Sequence, residues 1–337
     1  MAESLLAALR ETADVFLPEI PQVPQGRYAH FVLVRETESF PVFQTDGSLN
    51  VIRVQAGLGL VRDARVISRL VLFKRKQSSP ERLTGRELLR RYGIISDSGE
   101  LACEYNSERF CKRCPDCILY GYAIGNEGAE KSKVYVDSAF SVSPYEESHK
   151  AFSFNALYEH GTMTRGGETR ASFGEQDHVV PQVFFPSVVT LRDTTYEGFL
   201  YVLGNLLRTD RYGAQDTRTG KMTNHLVAVV FGDAEIFSNL RLTQAMYDYI
   251  QEEDRWSEPL ERQAVLEACC ESYHTLIAQE PIAKTFELSG SLAADFAAEV
   301  TALYQDARWT AELLRTLAAA TAKYADDCKA ATSRRGR

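Results

Sequence analysis

Nowhere in this 337-residue chain do apolar residues run on for the roughly 20 positions that a membrane-spanning helix needs, so no transmembrane segment is expected. A nucleotide-binding P-loop is missing too, because Gly220-Lys221 is followed by Met222 where that motif requires Ser or Thr. The histidines (His30, His149, His160, His178, His225 and His274) are scattered, and none has a carboxylate or nucleophile partner at a defensible spacing. His225, after Asn224 at a strand entrance, could face a ligand, but packing explains it as well. Catalysis therefore has no obvious seat; the one loop carboxylate worth naming is Asp46, and its neighbour Gly47 accounts for it by turn chemistry alone. There is no internal repeat. A net positive charge is also lacking: the sum is −8, which at first argues against a polyanionic partner.

The distribution of charge points the other way. Residues 62–91 hold ten lysines and arginines against three acids, whereas residues 241–330 hold sixteen acids against eight bases. A locally cationic surface is what phosphate binding requires, and a global sum can hide it. Read as a strand ending Phe73-Lys74-Arg75-Lys76, the stretch places Lys74 and Lys76 on one face. Arg82, Arg86 and Arg90 recur every fourth residue and would line one side of a helix. Such a stripe tracks a phosphate backbone without reading bases. A solvated face is the plainer alternative, disfavoured here because few acids intervene. A second basic element is the glycine-bearing loop Arg211-Tyr-Gly-Ala-Gln-Asp-Thr-Arg-Thr-Gly-Lys221, whose backbone could approach a ligand closely.

Four cysteines fall within fifteen residues: Cys103, Cys111, Cys114 and Cys117. Thiolates two residues apart reach one side of a single tetrahedral ion, and a four-sulfur site calls for structural zinc. Ordinary buried thiols fit poorly, because Glu104, Asn106, Glu108, Lys112, Arg113 and Asp116 make the stretch too polar for a packed core. A redox pair fits poorly as well, given Pro115 and a third cysteine. The remaining Cys269, Cys270 and Cys328 suit a reducing, cytoplasmic compartment. Leu5, Leu6 and Leu9 among Glu3, Arg10 and Glu11 read as a short surface helix, not a signal peptide.

Along the chain, strands are expected at Tyr28–Val34 and 50–55, the latter returning after the Asp46-Gly47 turn. Others are expected at 65–74, 133–140, 183–191 and 226–231. Thr84 with Glu87 reads as a capping box opening a short helix over 86–92. A second helix is expected over 196–207, completing a β-α-β unit, and everything after residue 240 reads as helical. Residues 158–180, rich in glycine, suit a long hairpin or arm.

Four segments in this order carry a resemblance: Cys111-Lys-Arg-Cys114-Pro-Asp-Cys117-Ile-Leu-Tyr-Gly; Lys133-Val-Tyr-Val-Asp-Ser-Ala-Phe140; Gly174-Glu-Gln-Asp-His-Val-Val-Pro-Gln-Val-Phe-Phe-Pro186; and Arg211-Tyr-Gly-Ala through Thr-Arg-Thr-Gly-Lys-Met-Thr-Asn-His-Leu-Val227. Together they resemble the Cas-seven-type backbone subunit of the type I-D CRISPR surveillance complex (Cascade), in the RAMP superfamily. The resemblance implies an α+β fold: a modified ferredoxin-like, RRM-related palm over residues 1–100 and 133–240. It implies a zinc-binding insertion at 101–132 held by Cys103, Cys111, Cys114 and Cys117, and a β-hairpin thumb at 155–182. A helical lobe would follow at 241–330, and a disordered tail at 331–337. It further implies a crRNA-binding, non-enzymatic subunit that polymerises with copies of itself along the guide in antiviral defence. The guide would be presented to target DNA, or RNA, beside cap, large and small subunits, with sequence read by base pairing. Guide-backbone contacts would come from Arg53, Lys74, Lys76, Arg86, Arg90, Arg211, Arg218 and Lys221, with Arg165 and Arg170 on the thumb. The alternative is an endoribonuclease cutting target RNA through Asp46.

Overall fold

Strand β1 (Tyr28–Thr37) lies at the centre of a five-stranded antiparallel sheet in this computed structural model, and nearly all of it is buried. The structure describes residues 4–12, 15–59, 65–125, 128–155, 164–165, 168–169 and 173–335. In chain order the first half holds α1 (Leu5–Glu11), β1, β2 (Val51–Gln55), β3 (Val66–Leu72), α2 (Lys74–Arg91), α3 (Pro115–Tyr120), β4 (Tyr122–Ile124), β5 (Gly128–Glu130), β6 (Val134–Val136), β7 (Ala139–Phe140), α4 (Tyr145–Ser148) and β8 (His149–Asn155). The second half holds β9 (Thr164–Arg165), β10 (Glu168–Thr169), β11 (Phe173–Val179), β12 (Phe184–Arg192), α5 (Tyr196–Arg208), β13 (Met222–Gly232), α6 (Asn239–Glu252), α7 (Arg262–Ile277), β14 (Lys284–Ser289), α8 (Ser291–Gln305) and α9 (Ala307–Arg335).

The sheet order is β14-β13-β1-β12-β6. Phe31 sits opposite Val189 of β12 on one side and Val229 of β13 on the other. Two crossings interleave: β1–α2–β6 straddles β12, and β12–α5–β13 straddles β1. The run of apolar residues in β1 follows from burial on both faces, which removes the need for alternation. Ala29, Phe31, Leu33, Val189, Val229 and Phe231 pack under Phe199 and Leu203 of α5, Phe296 of α8 and Leu314 of α9. Val32, Val34, Val188, Ala228 and Val230 face the other way, under Leu242 and Met246 of α6 and Val265 and Tyr273 of α7.

A second sheet, β2-β3-β7, stands apart with its own apolar cluster around Phe43, Leu70, Leu72 and Phe185. Strands β8 and β11 form an antiparallel pair with Phe152 opposite Gln176, and β9 pairs with β10. Much of the arm expected at 155–182 lies outside the described residues, namely 156–163, 166–167 and 170–172.

Several sequence expectations are corrected. The strand expected at 65–74 stops at Leu72, and Lys74–Arg91 is one 18-residue helix containing Pro80, so Lys74 and Lys76 share a helical turn, not a strand face. No capping box opens a helix at Thr84, which lies inside that helix. The return strand after Asp46 pairs with β3 rather than β1. The strand expected at 133–140 divides between the two sheets, as β6 and β7. The region after residue 240 is not wholly helical, because β14 adds an edge to the main sheet beside β13. Nor is it a separate lobe, since α6 and α7 cover one sheet face while α8 and α9 cover the other. Helix α1 buries Leu6 and Leu9, and α9 continues through Arg335, into the tail expected to be disordered.

Candidate nucleic-acid interface and cysteine cluster

Helix α2 opens on Lys74, Arg75 and Lys76, with no acidic residue in its first turn and no side-chain cap. Three cations at the positive end of a helix dipole oppose the helix rather than stabilise it. None of the three makes an ion pair among the described residues. Partial burial, and then the neighbouring Arg75, push the Lys76 ammonium below its ordinary pKa. Arg75, Lys76, Ser79, Pro80 and Leu83 form one wall of a groove of about 300 Å³, and Arg211, Gly213 and Asp216 form the other.

The second wall is the loop between α5 and β13, closed by a bridge between Arg211 and Lys221 and tied to the β1–β2 connection by another between Val42 and Ala214. Gly220 takes φ +93°, and a Cβ there would stand 2.4 Å from the Tyr212 carbonyl oxygen, so the bend requires glycine. Arg211 donates to the carbonyls of Asp216 and Thr219, both at 3.1 Å, which folds its guanidinium back over the loop. Arg218 is exposed, and Lys221 pairs with Asp210.

The structure therefore brings Lys74, Lys76, Arg211, Arg218 and Lys221 to one helix start and the loop beside it. Arg75, which strand alternation would turn to the opposite face, joins them; its signal is adjacency to two lysines. Arg53 lies elsewhere, exposed on edge strand β2. Arg90 is at the far end of α2, paired with Asp97 at 3.1 Å. Arg165 is in β9, and Arg170 lies outside the described residues. Arg86 is corrected outright as an RNA contact: it is completely buried, paired with Asp116, and donates to the Cys103 carbonyl at 2.6 Å. Its companion Arg82 grips the same carboxylate through Nε at 2.6 Å and Nη2 at 2.9 Å. Burial alone would lower the pKa of Arg86, but Asp116 and Cys103 outweigh it and raise it.

Those arginines lead to the cysteine cluster. The sulfurs of Cys103, Cys111, Cys114 and Cys117 all lie within 4.8 Å of one another. Three separations are 3.9 Å (Cys103–Cys114), 3.6 Å (Cys103–Cys117) and 3.9 Å (Cys111–Cys117). A tetrahedron with metal–sulfur bonds of about 2.3 Å has edges of about 3.8 Å, so the donor set fits one ion. Backbone N–H groups of Cys114 and Cys117 point at the Cys111 and Cys114 sulfurs, at 3.3 and 3.5 Å, which stabilises thiolate charge. Contrary to the expectation from composition, the stretch is not too polar to pack: Cys103, Cys114 and Cys117 are buried in the main apolar cluster. What permits it is Asp116, completely buried but neutralised by two arginines.

Two remaining candidates have plainer roles. His225 donates through Nε2 to Glu36 at 2.9 Å, and Arg262 of α7 holds the same carboxylate at 2.6 Å. Asp46 is exposed in the loop between bridge residues Gln44 and Leu49.

Comparison of folds gives the class. The chain superposes on the crystal structure of Thermofilum pendens Csc2 with a TM-score of 0.56 and 15% identity, covering 93% of this chain and 94% of that one. It superposes on a chain of a CRISPR RNA-guided surveillance complex, captured before nicking, with a TM-score of 0.51 and 13% identity, covering 82% of this chain and 99% of that one. The family model described as Csc2 Crispr matches residues 15–314, and the chain belongs to that family. A search of curated proteins found no match.

Proposed function

We propose that this chain is the crRNA-binding backbone subunit of a type I-D Cascade complex, polymerising along the guide and presenting it to target DNA or RNA. The observation that carries this reading is the unpaired Lys74-Arg75-Lys76 turn, whose Arg75 and Lys76 face Arg211 and Gly213 of the 211–221 loop across an open groove. Such a surface holds phosphates by charge and leaves bases free to pair. The interleaved crossings around β1 support the ferredoxin-like palm, with β14 as an addition. Family membership supports the neighbours: further copies of the chain and the cap, large and small subunits. A zinc ion held by Cys103, Cys111, Cys114 and Cys117 would be structural, its four positions filled by protein.

Gel shifts with single-stranded RNA at low salt test the reading. Reversing Lys74, Lys76 and Arg211 to glutamate together should abolish the shift for every sequence tried; unchanged affinity would overturn the proposal. We read the chain as non-enzymatic. Assembled complex incubated with complementary labelled RNA, wild type against Asp46→Ala, checks that. Metal-dependent cuts at regular spacing that disappear in the variant would establish the endoribonuclease instead.

A further inference from the structure

Tyr212 sits between Arg211 and Gly213 on the groove wall, yet its ring is completely buried. Its hydroxyl lies 3.1 Å from Oε1 of Glu81, on the same helix as Lys76. Glu81 is itself buried, and its counter-ion is Arg35 of β1, also buried, with Nη2 at 2.7 Å from the same oxygen. Behind the tyrosine, Asn224 Nδ2 reaches Tyr212 Oη at 2.7 Å, the Leu206 carbonyl at 2.6 Å and the Thr209 carbonyl at 3.2 Å.

The chemistry of these partners fixes every proton. Backbone carbonyls only accept, so the amide nitrogen of Asn224 must point to them and must donate to Tyr212. The tyrosine proton then goes to Glu81 Oε1, which also accepts from Arg35; burial raises the Glu81 pKa, and the Arg35 guanidinium and the Tyr212 hydroxyl oppose that rise. The relay joins helix α2 to the loop through the buried Glu81 and Tyr212, with half-buried Asn224 behind them. Apolar residues of the same volume could fill this space at no loss of stability, so a buried ion pair here points to a requirement for one geometry.

We infer that Glu81 and Tyr212 are positioning residues that set the distance between the two walls of the cationic groove, and so the placement of Arg211 against Lys76. The inference rests on reading that groove as the RNA-backbone site. Tyr212→Phe keeps the ring and removes only the hydroxyl. In the absence of RNA, amide exchange over residues 210–221 should accelerate, with the rest of the chain unchanged. RNA affinity should fall by about three- to tenfold, the value of one lost buried hydrogen bond. The slope of log affinity against log salt should stay at the wild-type value, because no phosphate contact is deleted. In an Arg211→Ala background, adding Tyr212→Phe should change affinity by less than about twofold, as a shared route requires.

Unaltered exchange in Tyr212→Phe, or losses that simply add in the double variant, would overturn the inference. If the loop loosens but affinity is indifferent both to Tyr212→Phe and to Lys76→Glu with Arg211→Glu, the groove reading is the one that falls. Glu81→Gln provides a second variant: it keeps a hydrogen-bonding side chain beside Tyr212 while removing the charge that Arg35 needs, so loosening of residues 210–221 is expected together with a loss of overall stability.

Discussion

Asp116 carries two guanidinium groups on one buried carboxylate, and it is the residue whose neutralisation should matter most. Asp116→Asn would leave Arg86 charged and without its counter-ion in a dry site, at a cost of about 3–5 kcal/mol in unfolding measurements. Gly85 makes a sharper case, because a Cβ there would lie 2.4 Å from Asn205 Nδ2 and 2.5 Å from Tyr201 Oη, both in buried side chains of α5. Gly85→Ala should push α2 off α5 and cost about 1–3 kcal/mol, whereas replacement of open Gly93 by alanine should act only through its positive φ of +69°. His30 gives a pH signature. Burial, opposed by a hydrogen bond to the Ala234 carbonyl, depresses its pKa from 6.5 to about 4. It is neutral in the fold, and the unfolded chain binds the proton more readily. Its contribution is therefore complete above pH 6.5 and is lost as pH falls towards 4, amounting to about 3 kcal/mol. Melts of His30→Gln should show a shallower decline through that window.

The first turn of α2 sets function against stability, and the two can be read separately. Lys74→Glu should raise the melting temperature slightly, by removing a cation from the positive helix end, worth about 0.3–1 kcal/mol. The same change should weaken RNA binding and shorten its salt dependence; a variant that gains stability and keeps affinity would show the turn is only a solvated surface. This helix is also only partly legible in the sequence. Its inward stripe is Gln77, Glu81, Arg82, Gly85, Arg86, Leu88 and Leu89, which has helical spacing but is polar over its first three turns. Apolar periodicity marks only the last turn, and a helix read from it is correspondingly short. By contrast β1, β12, α5 and β13 announce themselves, because their buried faces are filled with the apolar residues that the pattern tracks. The cysteine quartet is legible by residue type alone, while Asp116, which lets it sink into the core, reads in the sequence as a reason for it to stay outside.

At the scale of the whole molecule the cysteine site and the groove hang from one helix. Arg82 and Arg86 tie its lower half to Asp116 and Cys103, and Glu81 ties its upper half to the loop. Metal analysis should find one zinc per chain. Cys114→Ser, or chelation, should increase protease and exchange susceptibility over residues 96–121 and extend it into α2 through Arg86. Equal resistance in mutant and parent would argue that the thiols pack without an ion. The charge asymmetry is readable from composition, but its three-dimensional meaning is not: the acid-rich C-terminal third wraps the sheet on both sides instead of forming a lobe of its own.

That wrapping has one more consequence. Among the described residues, α6 and α7 pack on one face of the main sheet and α5, α8 and α9 on the other, so neither face is an open platform on which nucleobases could lie against aromatic rings. On the proposed function, the guide would instead run over helix starts and loop backbones, where purine and pyrimidine look alike. Homopolymers of adenosine and uridine should consequently compete for this protein on nearly equal terms, the indifference to letter that the proposed guide-carrying role requires.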